Sequence, residues 1–131
     1  MDKPRILFIV PLPPPVHGSA MVSQAIRDSI RINSTFETDY VNLSTSRRMN
    51  EIGKHGVKKV FRFFGAFAKM MYKLLFRRWD ACYLAITCHG IGFLKVVPFV
   101  ALCKWFSPKV ILHLHNKGLS KEVYRWPYCW L

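Results

Sequence analysis

The sequence predicts an α/β protein built on a doubly wound parallel sheet. Short apolar runs rich in β-branched residues recur at 5–10, 80–86 and 109–115, and residues 36–43 alternate large apolar with polar side chains. Between these runs lie segments of helical length and pattern at 19–32, 57–79 and 92–106, and another begins at 119–126. The resulting order, β-α-β-α-β-α-β-α, places helices on both faces of a parallel sheet. No internal repeat or low-complexity tract interrupts it. A chain of 131 residues with 51% apolar content is sufficient for one folded domain, residues 1–131, with a real core.

The first strand is a continuous apolar run, Ile6-Leu7-Phe8-Ile9-Val10, as expected for a strand buried on both faces. The prolines after it cannot donate to a ladder, so they end the strand and stiffen its exit. His17-Gly18-Ser19 then opens a helix whose apolar side carries Ala20, Val22, Ala25, Ile26 and Ile30. Ser19 is the expected N-cap, since its hydroxyl can accept from a free amide of the first turn. Gly18 lacks a Cβ, so a ligand could approach the backbone closely. Strand, glycine loop and helix N-terminus together form an anion-binding arrangement. Neither G-x-G-x-x-G nor G-K-[ST] is present, which excludes the dinucleotide fingerprint and the Walker A loop.

Asn33-Ser34 closes the first helix, strand 36–43 is expected near a sheet edge, and 44–56 reads as a polar, basic loop. In the helix over 57–79, Val57, Val60, Phe64, Phe67, Met71 and Leu74 recur at spacings of three and four and form an apolar stripe. Lys58, Arg62, Lys69, Lys73 and Arg77 recur on the other side. A solvated surface helix explains this pattern. So does a helix lying on a membrane, with cations at anionic headgroups and the flanking Phe61, Tyr72 and Phe76 in the interface. Thr87-Cys88-His89-Gly90 is a turn. The mostly apolar helix over 92–106 is expected to be covered on both sides, with Pro98 either kinking it or marking its first turn. Strand 109–115 runs into the loop Asn116-Lys117-Gly118.

The net charge of +13 implies an anionic partner: nucleic acid, an acidic membrane or a phosphorylated substrate. No nucleic-acid reading motif accompanies the charge, so nucleic acid is not expected. The four cysteines form no C-x-x-C and read as reduced core thiols. No secretory signal and no uncharged transmembrane run are seen.

Ligands of parallel sheets bind at the carboxyl ends of the strands, which puts His17-Gly18, His89-Gly90 and His115-Asn116 on one rim. His113 and His115 share a strand face by the period of two. No third ligand lies near them in sequence, so no metal is expected. His113, deeper in the strand, reads as a hydrogen-bonded core histidine. His115, at the exit, is the candidate for chemistry, because imidazole can donate to a developing negative charge or a sugar hydroxyl.

Pro13-Pro14-Pro15-Val16-His17-Gly18-Ser19-Ala20 after the first strand, Asp80-Ala81-Cys82-Tyr83-Leu84 after a basic helix, and Val110 to Gly118 ending in His115-Asn116-Lys117-Gly118 together resemble the opening of bacterial GT-B glycosyltransferases of family 4. The resemblance implies an incomplete, Rossmann-like, acceptor-side N-terminal domain. The enzyme would be retaining and metal-independent, moving a hexose from a nucleotide-diphosphate sugar to a glycan or lipid-linked acceptor in cell-surface polysaccharide synthesis. It implies that Gly18, with Ser19, approaches the donor diphosphate. His17, His89 and Asn116 would line the acceptor side, and His115 would contact the sugar near the reacting carbon. No cofactor is implied beyond the donor substrate. The basic helix, through Lys58, Arg62, Lys69, Lys73 and Arg77, would place the protein in the cytoplasm, peripheral on the inner face of the cell membrane. The acidic E-x7-E element of that family's second domain is missing. The chain is therefore expected to be the first part of a longer enzyme, inactive alone. The competing expectation is a basic membrane-surface module without catalysis.

Overall fold

The structure, a computed structural model, describes residues 2–44, 56–86 and 91–115. Four parallel strands, β1 (Arg5–Val10), β2 (Glu37–Asn42), β3 (Ala81–Ile86) and β4 (Val110–Leu114), form one sheet in the order β2-β1-β3-β4. The helices are α1 (Gly18–Arg27), α2 (Ile30–Thr35), α3 (Val57–Phe76) and α4 (Ile91–Phe106). This is the α/β architecture expected, compatible with a Rossmann-like fold.

Alternation along β1 builds two cores. Leu7 and Ile9 join Val41, Cys82 and Leu84 beneath α3 and α4, where Met70, Leu74, Phe99 and Cys103 are buried. Phe63 and Phe67 both meet the Phe99 ring edge-on, at 5.4 and 5.3 Å between centroids. Phe8 and Val10 face the other way and pack with Leu12, Ala85, Ile26 and Ile32 on the α1–α2 side. There Phe8 stacks on Tyr40 at 5.0 Å and touches Tyr83 at 5.1 Å, its register partners on β2 and β3. A strand covered on both faces needs apolar residues at every position, which is why β1 shows no alternation.

Several expected boundaries move. The first helix is two: α1 stops at Asp28, whose amide donates to Gln24 O at 2.9 Å, and the Ser29 hydroxyl accepts from the Ile32 amide at 3.4 Å to start α2. With the Asn33 side-chain amide donating to Arg27 O at 2.8 Å, side chains satisfy backbone groups on both sides of the break and interrupt a helix that apolar spacing would continue. Helix α3 ends at Phe76, not Trp79, because Arg77 is extended. The Trp79 indole N–H donates to Lys73 O at 2.9 Å and so caps a carbonyl of the last turn. Pro98 lies inside α4 rather than at its first turn, and α4 is not covered on both sides: Leu94 and Trp105 are exposed, the latter at 86%.

The face of α3 also differs. It packs through Phe63, Ala66, Phe67, Met70 and Leu74, whereas Val57, Val60 and Phe64 of the expected stripe are exposed. The apolar arc of this helix is wider than the sheet can cover. The expected turn 87–90, nearly all of the expected loop 44–56 and the expected helix at 119–126 lie outside the described residues.

Candidate functional site

The chain leaves β1 for β2 through α1 and α2 on one face, and β3 for β4 through α4 on the other. The strand order therefore reverses between β1 and β3, and at such a switch point the carboxyl ends open a crevice.

The β1 exit is fixed by an accounting of donors. From Pro11 to Pro15 only Leu12 has an amide N–H. It donates to Asn42 Oδ1 at 2.9 Å, and Ser44 Oγ donates to Leu12 O at 2.8 Å. Asn42 and Ser44, at the end of β2, thus hold the proline loop in place. Neither stood out in the sequence, since only the β1–β2 register puts Asn42 beside Val10.

The loop ends at His17, which replaces Ser19 as the N-cap of α1. The His17 Nδ1 accepts from the Ala20 amide at 3.3 Å, and Ser19 Oγ lies 2.9 Å from the same nitrogen. A backbone N–H can only donate, so Nδ1 is unprotonated in this cap and Nε2 carries the proton. Ser19 instead sits in the first turn of the helix. The amides of Gly18 and Ser19 precede the first intrahelical bond, Met21 N–H to His17 O at 3.0 Å. A Cβ built on Gly18 would meet nothing within 4 Å. The packing of the described residues therefore does not require glycine there.

At the exit of β4, His113 and His115 lie on one side with ring centroids 4.3 Å apart. His113 is half-buried and its Nδ1 is hydrogen-bonded to the Tyr83 hydroxyl, as expected for a histidine of the strand interior. Tyr83 went unnoticed in the sequence, although the period of two on β3 puts it on the face of Ala85, the register partner of His113. The His115 amide donates to Ile86 O at 3.3 Å, and its Nε2 is buried with no partner among the described residues. Burial, then the neighbouring His113 and His17, hold the His115 imidazole below the ordinary histidine range. At neutral pH it is an uncharged ring. His17 follows β1 and His115 follows β4, so both lie at the carboxyl end of the parallel sheet.

The carboxyl rim thus carries two groups, His17 with Ser19 after β1 and His113 with His115 and Tyr83 at β4 and β3, while His89 and Asn116 lie outside the described residues. Among the described residues no group of three or more His, Cys, Asp or Glu is arranged to hold a metal ion. The His113 and His115 rings are tilted by 31° to one another. Cys82 and Cys103 are buried free thiols, and Cys88 and Cys129 lie outside the described residues.

The five cations expected on α3 do not form one solvent-facing row. Lys58 and Lys69 are exposed and Arg62 is half-buried. Lys73 bonds to Asp39, and Arg77 bonds to Glu37, so these two turn toward β2 and anchor the helix. The surface left open is apolar: Val57, Phe61, Phe64, Leu75 and Phe76 are each more than half exposed, Phe61 at 73%. No helix among the described residues is long and apolar enough to cross a membrane. No protein-family model, curated protein or solved structure matches the chain.

Proposed function

We propose that this chain is the acceptor-side, Rossmann-like part of a GT-B-type glycosyltransferase that works at an anionic membrane surface. The observation that supports this reading most is that His17, after β1, and His115, after β4, stand on the carboxyl rim of a parallel sheet whose strand order reverses between β1 and β3. The α1 N-terminus offers the Gly18 and Ser19 amides and the positive end of a helix dipole to a diphosphate. The His17 Nε2–H is a further donor beside them. A neutral His115 can donate a hydrogen bond to the hexose or its departing phosphate without adding a competing cation. In the reaction the bond from the anomeric carbon to the diphosphate oxygen breaks and the acceptor hydroxyl oxygen forms the new bond. The hydroxyl proton leaves with the diphosphate. A second domain with the E-x7-E element supplies the rest of the donor site in this reading.

The exposed apolar stripe of α3, beside Lys58 and Lys69, supports placement on the inner face of the cell membrane, where a lipid-linked acceptor would lie. That stripe equally favours the second reading, a membrane-surface module without catalysis. Amide-shift mapping with inorganic pyrophosphate separates the two. The transferase reading expects saturable shifts at Gly18, Ser19 and Ala20. A flat response at these amides, with vesicle binding intact, leaves only the membrane module.

A further inference from the structure

We propose that the groove between α3 and the edge strand β2 holds the headgroup of an anionic phospholipid. The proposal rests on the reading of α3 as a membrane-surface helix. The groove is open and about 760 Å³ in volume. Three cations line it, Lys69, Lys73 and Arg77, and two carboxylates, Asp39 in the lining and Glu37 beside it, pair with two of them. Lys73 is already bonded to Asp39, and Arg77 is spread over Trp79 at 5.7 Å while bonded to Glu37. Both are therefore held in place rather than free to swing. Lys69 is exposed and has no carboxylate partner among the described residues. A phosphodiester entering the groove meets the exposed Lys69 ammonium as the net positive charge, with the paired Lys73 and Arg77 as further donors along the wall.

The mouth is also apolar. Tyr72 and Phe76 pack on each other at 4.6 Å and are more than half exposed. Their outer surfaces continue the exposed stripe of Phe61, Phe64 and Leu75 on the same helix. A free phosphate uses only the cations. A phospholipid uses both, with its phosphate against Lys69 and its first acyl carbons along the two rings. The paired carboxylates disfavour a multiply charged anion and suit a headgroup carrying a single negative charge. Phosphatidylglycerol has that chemistry.

The test uses the full chain and two charge reversals on one helix, K69E in the groove and K58E outside it. Both remove the same charge from exposed positions. Vesicles of phosphatidylcholine with phosphatidylglycerol should bind K69E about tenfold more weakly than K58E; equal losses overturn the groove. A second arm adds monomeric dihexanoyl-phosphatidylglycerol below its micelle concentration and follows the Trp79 indole N–H resonance. A saturable shift that K69E abolishes supports the site. No shift, while the unaltered protein binds the vesicles, overturns the site and leaves the membrane reading intact. The same shift with inorganic phosphate overturns the lipid assignment. A shift with the monomer but no vesicle binding keeps the site and removes the membrane reading.

Discussion

The imidazoles of His113 and His115 lie with centroids 4.3 Å apart at the carboxyl end of β4; His113 is hydrogen-bonded to the Tyr83 hydroxyl, while the buried Nε2 of His115 has no partner among the described residues. Burial and the two neighbouring histidines disfavour a proton on His115. In the unfolded chain that penalty vanishes, so on acidification the unfolded state takes up the proton first. The stability linked to His115 is whole above the ordinary histidine range and is lost as pH falls through it toward the lowered folded value. Proton resonances of the ring should show a midpoint below 6.5, and His113→Asn should move it upward. Urea unfolding should show a weaker fold on the acid side of neutrality, with a smaller pH slope in His115→Gln.

His17 caps α1, the proposed function also gives its Nε2–H to the diphosphate, and two variants separate these roles. His17→Ala should cost about 1 kcal/mol in urea unfolding through loss of the cap. His17→Asn should recover most of that, because Asn caps well, yet pyrophosphate binding should stay weakened. Full recovery of binding by His17→Asn would reduce His17 to a cap.

The two sides of α3 should respond oppositely to substitution. Leu74→Ala empties a buried site in the core beneath α3 and α4 and should cost about 2–4 kcal/mol. Phe64→Ser changes an exposed ring and should alter stability by no more than about 0.5 kcal/mol. Vesicle binding should reverse the order: weakened by Phe64→Ser and, in the folded fraction, unaffected by Leu74→Ala.

Lys73 and Lys69 have similar chemistry and different surroundings. Lys73→Ala breaks a partly screened ion pair with Asp39 and should cost about 1 kcal/mol at low salt, less as salt is added. Lys69→Ala should stay within about 0.5 kcal/mol in thermal unfolding. Equal costs would mean that the Lys73–Asp39 pair does not anchor the helix.

Much of the fold was legible in the sequence because strands signal themselves twice, by apolar content and by β-branching. All four described strands fall within the expected ranges, and β2 is an edge strand as its polar alternation implied. Helix limits were less legible. Periodicity ran through Asp28-Ser29, where side-chain hydrogen bonds end α1 and start α2. On α3 nearly the whole circumference except its cationic side is apolar, so spacing alone could not say which part meets the sheet; the contacts of Met70 and Leu74 decide that. At the sheet's carboxyl end, strand-end logic placed His17 and His115 on one rim, but the cap passed to His17 because its ring, not the Ser19 hydroxyl, reaches the Ala20 amide. Tyr83, Asn42 and Ser44 act through register and long-range hydrogen bonds, which no local pattern records.

The most direct measurement is hexose transfer by the natural gene product that carries this chain, from a panel of nucleotide-diphosphate hexoses to acceptors in membrane vesicles. Product mass and released nucleoside diphosphate are followed together. The proposed function expects transfer from at least one donor, reduced about 10²-fold by His115→Ala with unfolding unchanged at neutral pH. No transfer from any donor, or full transfer by His115→Ala, would contradict the assignment of this rim to sugar transfer.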